Sequence, residues 1–233
     1  MDRPTYILAA APSGPVQLND FFESGDNSIM ALLEHPPVFR QGGWDLRTAT
    51  PPRIVSGEYL EATTEDQIAV RLYEDGTLLV RVAADSFLAW PMSPAEFHQK
   101  PKLNTLGLVE VTTAFVYFYR QLLGKFKRAP ESIKFRIEFR NAEVAGNKLY
   151  VVPFPVLSIR WQKEFESDKH SISEPNLGRE MTIPTTQVKE DPDLVAYLLV
   201  EKLFLFFGVP SNELPYVNQG KPRRVDVGSF SKR

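Results

Sequence analysis

Two short stretches of this chain concentrate basic side chains. Between Lys125 and Arg140 stand Lys125, Lys127, Arg128, Lys134, Arg136 and Arg140 against only Glu131 and Glu138. Between Lys221 and Arg233 stand Lys221, Arg223, Arg224, Lys232 and Arg233 against only Asp226. The chain as a whole is close to neutral, at −2 over 233 residues, so everything outside these stretches carries a net −10. Cations gathered in this way suit an anionic partner, because contact with a polyanion releases its condensed counterions. Lys134, Arg136 and Arg140 alternate with apolar residues, which places them on one side of a strand. Together with Arg223 and Arg224 they form the candidate anion-binding set, for nucleic acid or for a protein that handles it. Tyr73, Tyr150 and Trp161 are the candidate rings for stacking against bases, provided they are exposed. The plain alternative is a solvated charged face, and the small size of the clusters and a pI near 6.0 favour it.

Other chemistries leave less trace. The sequence has no cysteine, which excludes disulfides, thiolate metal sites and a cysteine nucleophile. His35, His98 and His170 lie far apart, and none has a partner at metal-ligand spacing. Neither G-x-x-x-x-G-K-[ST] nor G-x-G-x-x-G occurs, so Gly42-Gly43 reads as a turn and not as a phosphate cradle. No G-x-S-x-G elbow is present. Glu58, Glu61, Glu110 and Glu138 are the dispersed carboxylates that a metal-dependent nuclease or hydrolase would have to bring together. They lack a compact acid-acid-lysine layout, and acids on strand faces and turns are ordinarily solvated. No catalytic residue, metal ligand or cofactor is therefore assigned.

The elements that must position these residues are legible in outline. Tyr6–Ala11 is a first strand. A short helix over about Asn27–Glu34 stops before Pro36-Pro37. Arg53–Ala62 reads as one strand. Gln67–Ala84 is a hairpin turning at Glu74-Asp75-Gly76. Only a three-residue loop with a left-handed Gly76 pairs Leu72 with Leu78, Val70 with Val80 and Ile68 with Val82, which sets all six on one face. Arg71, Tyr73 and Arg81 then occupy the other. Trp90–Lys102, punctuated by three prolines, is a loop or broken helix.

Asn104 caps a mostly apolar helix that runs to Leu123 and ends at Gly124. Glu110, Thr113, Tyr117 and Arg120 form its one polar stripe, read as its wet side in preference to a buried network. Ile133–Arg140 is a half-buried strand. Ala145-Gly146-Asn147 turns into a return strand over Lys148–Val152, Val156–Trp161 is a further strand, and Glu164–Gly178 is a polar loop. Asp191 and Pro192 open the last helix and Gly208 lies past its end. An irregular basic tail follows from Val217. A subdivision near residues 91–103 is the only candidate boundary within what otherwise reads as one unit.

Three stretches resemble a known region: Arg40-Gln41-Gly42-Gly43-Trp44-Asp45, Arg71-Leu72-Tyr73-Glu74-Asp75-Gly76-Thr77-Leu78, and Val116-Tyr117-Phe118-Tyr119. Over residues 35–125 they are similar to the segment that follows the AlbA-type, Schlafen-like DNA-binding domain in some bacterial proteins. The resemblance implies an accessory or sensing module in a nucleic-acid or defence setting, and it transfers no catalytic residue.

The sequence thus predicts an α+β fold with a largely antiparallel sheet and two long, mostly buried helices. The charged interruptions Glu110, Arg120, Glu201 and Lys202 mark these as core helices and not membrane spans. The expected function is a non-catalytic interaction module, cytoplasmic and without a cofactor, that binds nucleic acid or a protein partner. The competing readings are the metal-dependent nuclease or hydrolase and a structural, self-associating subunit.

Overall fold

The alternating apolar runs form strands, as period-two patterning requires. The computed structural model describes residues 3–89, 93–152, 170–218 and 220–232. Its strands are β1 (Thr5–Pro12), β2 (Arg53–Val55), β3 (Tyr59–Thr64), β4 (Ile68–Tyr73), β5 (Leu78–Ala83), β6 (Ser132–Arg140), β7 (Glu143–Val144), β8 (Asn147–Lys148), β9 (Tyr150–Val151), β10 (His170–Ser171) and β11 (Leu177–Pro184). The helices are α1 (Ile29–Glu34), α2 (Pro94–Gln99), α3 (Thr105–Leu122), α4 (Thr185–Glu190) and α5 (Pro192–Leu205). Seven strands build one antiparallel sheet in the order β11-β6-β1-β5-β4-β3-β2. The fold is α+β as expected, and among the described residues no helix is long and apolar enough to cross a membrane.

The inner face of the sheet carries Tyr6, Leu8, Val70, Val80, Phe135 and Phe139, each at most 2% exposed. Full burial of one such side chain contributes about 1.5–3 kcal/mol. α3 and α5 join the same hydrophobic cluster. Asn104 caps α3 by accepting from the amides of Leu106 and Gly107. The hydroxyls of Thr112 and Thr113 bond back to the carbonyls of Leu108 and Val109, which satisfies two polar groups inside the core. Asp191 caps α5, and Pro192 starts it.

The β4–β5 hairpin has the expected register, with Leu72 opposite Leu78, Val70 opposite Val80 and Ile68 opposite Val82. Gly76 sits at φ +80, the left-handed value the three-residue loop demands. Elsewhere the structure corrects the sequence reading. Arg53–Ala62 is not one strand but the hairpin β2–β3. Val55 pairs with Tyr59 across a three-residue loop, in which Ser56 and Gly57 both turn at positive φ. In Trp90–Lys102 the broken-helix reading holds for the described part, which contains α2, held by a Ser93–Glu96 capping box.

The return strand expected over Lys148–Val152 is split. Asn147–Lys148 pairs with β7, and β9 pairs with β10. The end of the expected polar loop, Leu177-Gly178, opens the edge strand β11, whose pairing with β6 lies far away in sequence. The tail is anchored as well. It contains a 3-10 helix over Val227–Lys232, and Phe230 is fully buried against Phe39 and Tyr216. The strand expected over Val156–Trp161 lies outside the described residues, as does Trp161.

Candidate functional site

The outer face of the sheet is built from the residues that alternate with the core. One outward row crosses all seven strands in register. On one side it runs Glu180, Arg136 and Ala9, and on the other Leu79, Arg71, Glu61 and Arg53. Neighbouring strands lie about 4.8 Å apart, so this row is on the order of 29 Å long. Its centre is small and apolar, with Ile7 beside Ala9 and Leu79, and its two banks are charged.

Each bank holds its carboxylates between cations, two on the β6–β11 side and one on the β2–β4 side. Glu138 bonds Arg136 at 2.8 Å and Arg140 at 2.6 Å. Glu180 bonds Lys134 at 2.7 Å and Arg136 at 3.3 Å. Glu61 bonds Arg71 at 2.7 Å and Arg53 at 3.1 Å. Glu61 and Glu138 sit lowest, whereas Glu180 is as open as Arg136. The side chains of Glu61 and Glu138 are 8% and 10% exposed, against 70% for Arg53 and 52% for Arg140. Burial is the largest single influence on Glu61 and works against its charge. The hydrogen bonds and charges of Arg71 and Arg53 nonetheless carry its pKa below the ordinary 4.5. Glu138 is held low in the same way, burial being outweighed by Arg140 and Arg136. Both carboxylates therefore stay ionised beneath their arginines.

Across the seven strands the outward positions hold six cations (Arg53, Arg71, Arg81, Lys134, Arg136, Arg140) and three carboxylates (Glu61, Glu138, Glu180). Two of those carboxylates are buried, so solvent meets the cations first. Arg81 is exposed and has no ion-pair partner among the described residues. Tyr59 and Tyr73 face each other across β3 and β4, half-buried, with ring centroids 5.2 Å apart. The guanidinium of Arg71 stands 5.1 Å from the Tyr59 ring. At the Tyr73 end of the sheet lies a groove of about 690 Å³ lined by Gln17, Glu58, Tyr73, Asp75, Lys127 and Arg128 among others. At the other end of β4 a groove of about 530 Å³ is lined by Arg3, Thr64, Gln67, Ala69 and Arg81 among others.

Of the five candidate anion-binding residues, the structure brings three together. Lys134, Arg136 and Arg140 share the outer face of β6. Arg223 and Arg224 are engaged around α5. Arg224 grips the capping carboxylate of Asp191 at 2.7 Å, and Arg223 donates to Ser211 Oγ at 2.7 Å. The hydrogen bond from Arg224 is the main cause of the depressed Asp191 pKa. Tyr150 is buried and offers no open ring. The sequence reading passed over Arg53, Tyr59 and Arg71 as a group, because they meet only through the β2–β3 turn.

The polar stripe on α3 is its wet side only at Arg120, which is exposed, while its first half is buried. Glu110 is 1% exposed and Thr113 fully buried. Glu110 accepts from Arg40 at 3.0–3.2 Å, from the Trp44 amide at 3.0 Å and from the Tyr216 hydroxyl at 3.2 Å. Tyr117 donates to Asp193 at 2.6 Å, and Arg120 donates to the Lys189 carbonyl. The stripe is a tether that ties the Arg40–Trp44 loop, Tyr216, the end of α4 and the start of α5 to one helix.

The carboxylates weighed for metal chemistry do not form one cluster. Glu61, Glu110 and Glu138 each bind their own arginines, while Glu58 lines the groove beside Tyr73. Among the described residues no three His, Cys, Asp or Glu side chains are placed to hold a metal ion. No protein-family model, curated protein or solved structure matches this chain.

Proposed function

We propose that the protein is a non-catalytic interaction module that binds nucleic acid on the outer face of its sheet. The observation that carries this reading is the layering of charge, with buried carboxylates below and guanidinium groups above them. A guanidinium has five N–H donors in a fixed fork. Arg140 and Arg71 each commit Nε to a carboxylate, and their side chains are 52% and 30% exposed, so their remaining donors are within reach of a phosphate. The similarity of residues 35–125 to the segment that follows a Schlafen-like domain points to the same setting.

The test is a titration with fluorescent DNA and RNA over a salt series, with and without magnesium. Each phosphate contact that is lost lowers the slope of log affinity against log salt by about 0.7 for a single strand. The double change Lys134→Glu with Arg136→Glu is expected to weaken binding and flatten the slope. Arg81→Ala, which disturbs no ion pair, is expected to flatten it by about one contact. Unchanged affinity and slope in both variants rejects the proposal. Magnesium-dependent cleavage in the same titration rejects the non-catalytic reading, although Glu58, Glu61, Glu110 and Glu138 are too dispersed to hold the metal together.

A further inference from the structure

Resting on that reading, we propose that the ligand is a single strand that runs along β4, stacking its bases on Tyr59 and Tyr73. The two rings are direct cross-strand neighbours on the outer face. Their centroids are 5.2 Å apart at an interplanar angle of 43°. Arg71 fixes the platform from beside it, with its Nε bonded to Glu61 and its guanidinium against the Tyr59 ring. A partly exposed aromatic pair on a sheet takes unpaired bases, which present a π-face, whereas a duplex keeps its bases stacked on one another.

The grooves give the path. One opens at Tyr73 and the other at Gln67 and Ala69, so β4 connects them. β4 has six residues, which span about 20 Å. That length holds on the order of four nucleotides, the low end of site sizes for single-strand-binding folds. Arg81 lines the groove beyond Ala69, and Lys127 and Arg128 line the one beyond Tyr73. The basic stretch that begins at Lys125 thereby gains a role the outer strand positions did not give it. Glu58, Glu74 and Asp75 line that same groove, so phosphates are held there only where Lys127 and Arg128 reach. Its carboxylates face base amino groups in preference to phosphates.

The experiment compares three probes by anisotropy: oligothymidylates of about four, eight and twelve nucleotides, a hairpin duplex of matched length, and heparin. Tyr59→Ala and Tyr73→Ala are each expected to weaken oligothymidylate binding by about tenfold. Heparin binding is expected to stay at the wild-type level, and Tyr59→Phe and Tyr73→Phe to restore the single strand. Tyrosine fluorescence is expected to be quenched by the single strand and not by heparin.

Wild-type affinity for oligothymidylate in both alanine variants overturns the inference, as does a duplex that binds as tightly as the single strand. The outcomes separate the two proposals. If heparin and oligonucleotides bind and respond to Arg81→Ala but not to the tyrosine changes, only the path along β4 falls. If no probe binds, the outer-face reading falls with it.

Discussion

Glu110 accepts from three residues in two separate segments, Arg40 and Trp44 in one loop and Tyr216 far along the chain, and it does so with almost no exposure to water. Removing one partner from a buried ion pair costs about 3–5 kcal/mol, because the other charge is left uncompensated. Glu110→Ala is therefore expected to lower stability by about that amount in urea denaturation. Tyr216→Phe deletes one hydrogen bond to the same carboxylate and is expected to cost only about 1 kcal/mol. Gly43 explains why the loop can close. A Cβ there would lie 2.8 Å from Arg40 Cγ and 2.9 Å from Glu110 Oε2. Gly43→Ala is expected to destabilise by about 1–3 kcal/mol, as overpacking does, while Gly42 faces open space. Equal stability of Gly43→Ala and wild type would contradict the clasp. The sequence marked this pair as a turn but could not tell which glycine was tight. The neighbour that makes it tight, Glu110, lies on a helix far along the chain.

At the level of elements, the legible parts were those whose information is local. The β4–β5 register follows from six apolar residues and one glycine, and β6 from strict alternation. β11 was missed because its partner is β6 and its own pattern includes Gly178 and Pro184. The β2–β3 hairpin was missed because Ser56, not a glycine, takes the first left-handed turn position. Pairing between strands then creates properties that no single strand has.

Glu138 looked like a solvated strand acid and is instead buried under two arginines, as is Glu61. Their folded pKa values lie below the ordinary 4.5, so their ion pairing stabilises the fold fully above that value. The stabilisation fades as pH falls through the depressed folded values. The thermal midpoint is expected to hold level from neutral pH to about 5 and to fall at lower pH. Glu138→Gln is expected to lower the midpoint at neutral pH and to shallow the acid decline. A variant with the wild-type acid profile would show that the carboxylate is not held in this way.

Over the whole molecule, the two basic stretches that looked alike in sequence do different work. The stretch ending at Arg140 contributes Lys134, Arg136 and Arg140 to an open face with their carboxylates partly beneath them. In the tail, Arg224 is spent on the cap of α5 and Phe230 is sunk into the core. Charge counting could not separate them, because exposure and partner are properties of the assembled fold.

The separation is measurable. Arg136→Ala is expected to reduce the salt slope of oligonucleotide binding. Arg224→Ala is expected to lower the thermal midpoint by loosening the start of α5 while leaving that slope intact. Asp191→Asn is expected to share the stability loss, since it removes the carboxylate that both Arg224 and the Leu194 amide use. A slope that falls equally with Arg136→Ala and Arg224→Ala would mean that the tail also meets the ligand, and the interface would then have to extend past the sheet to the first turn of α5.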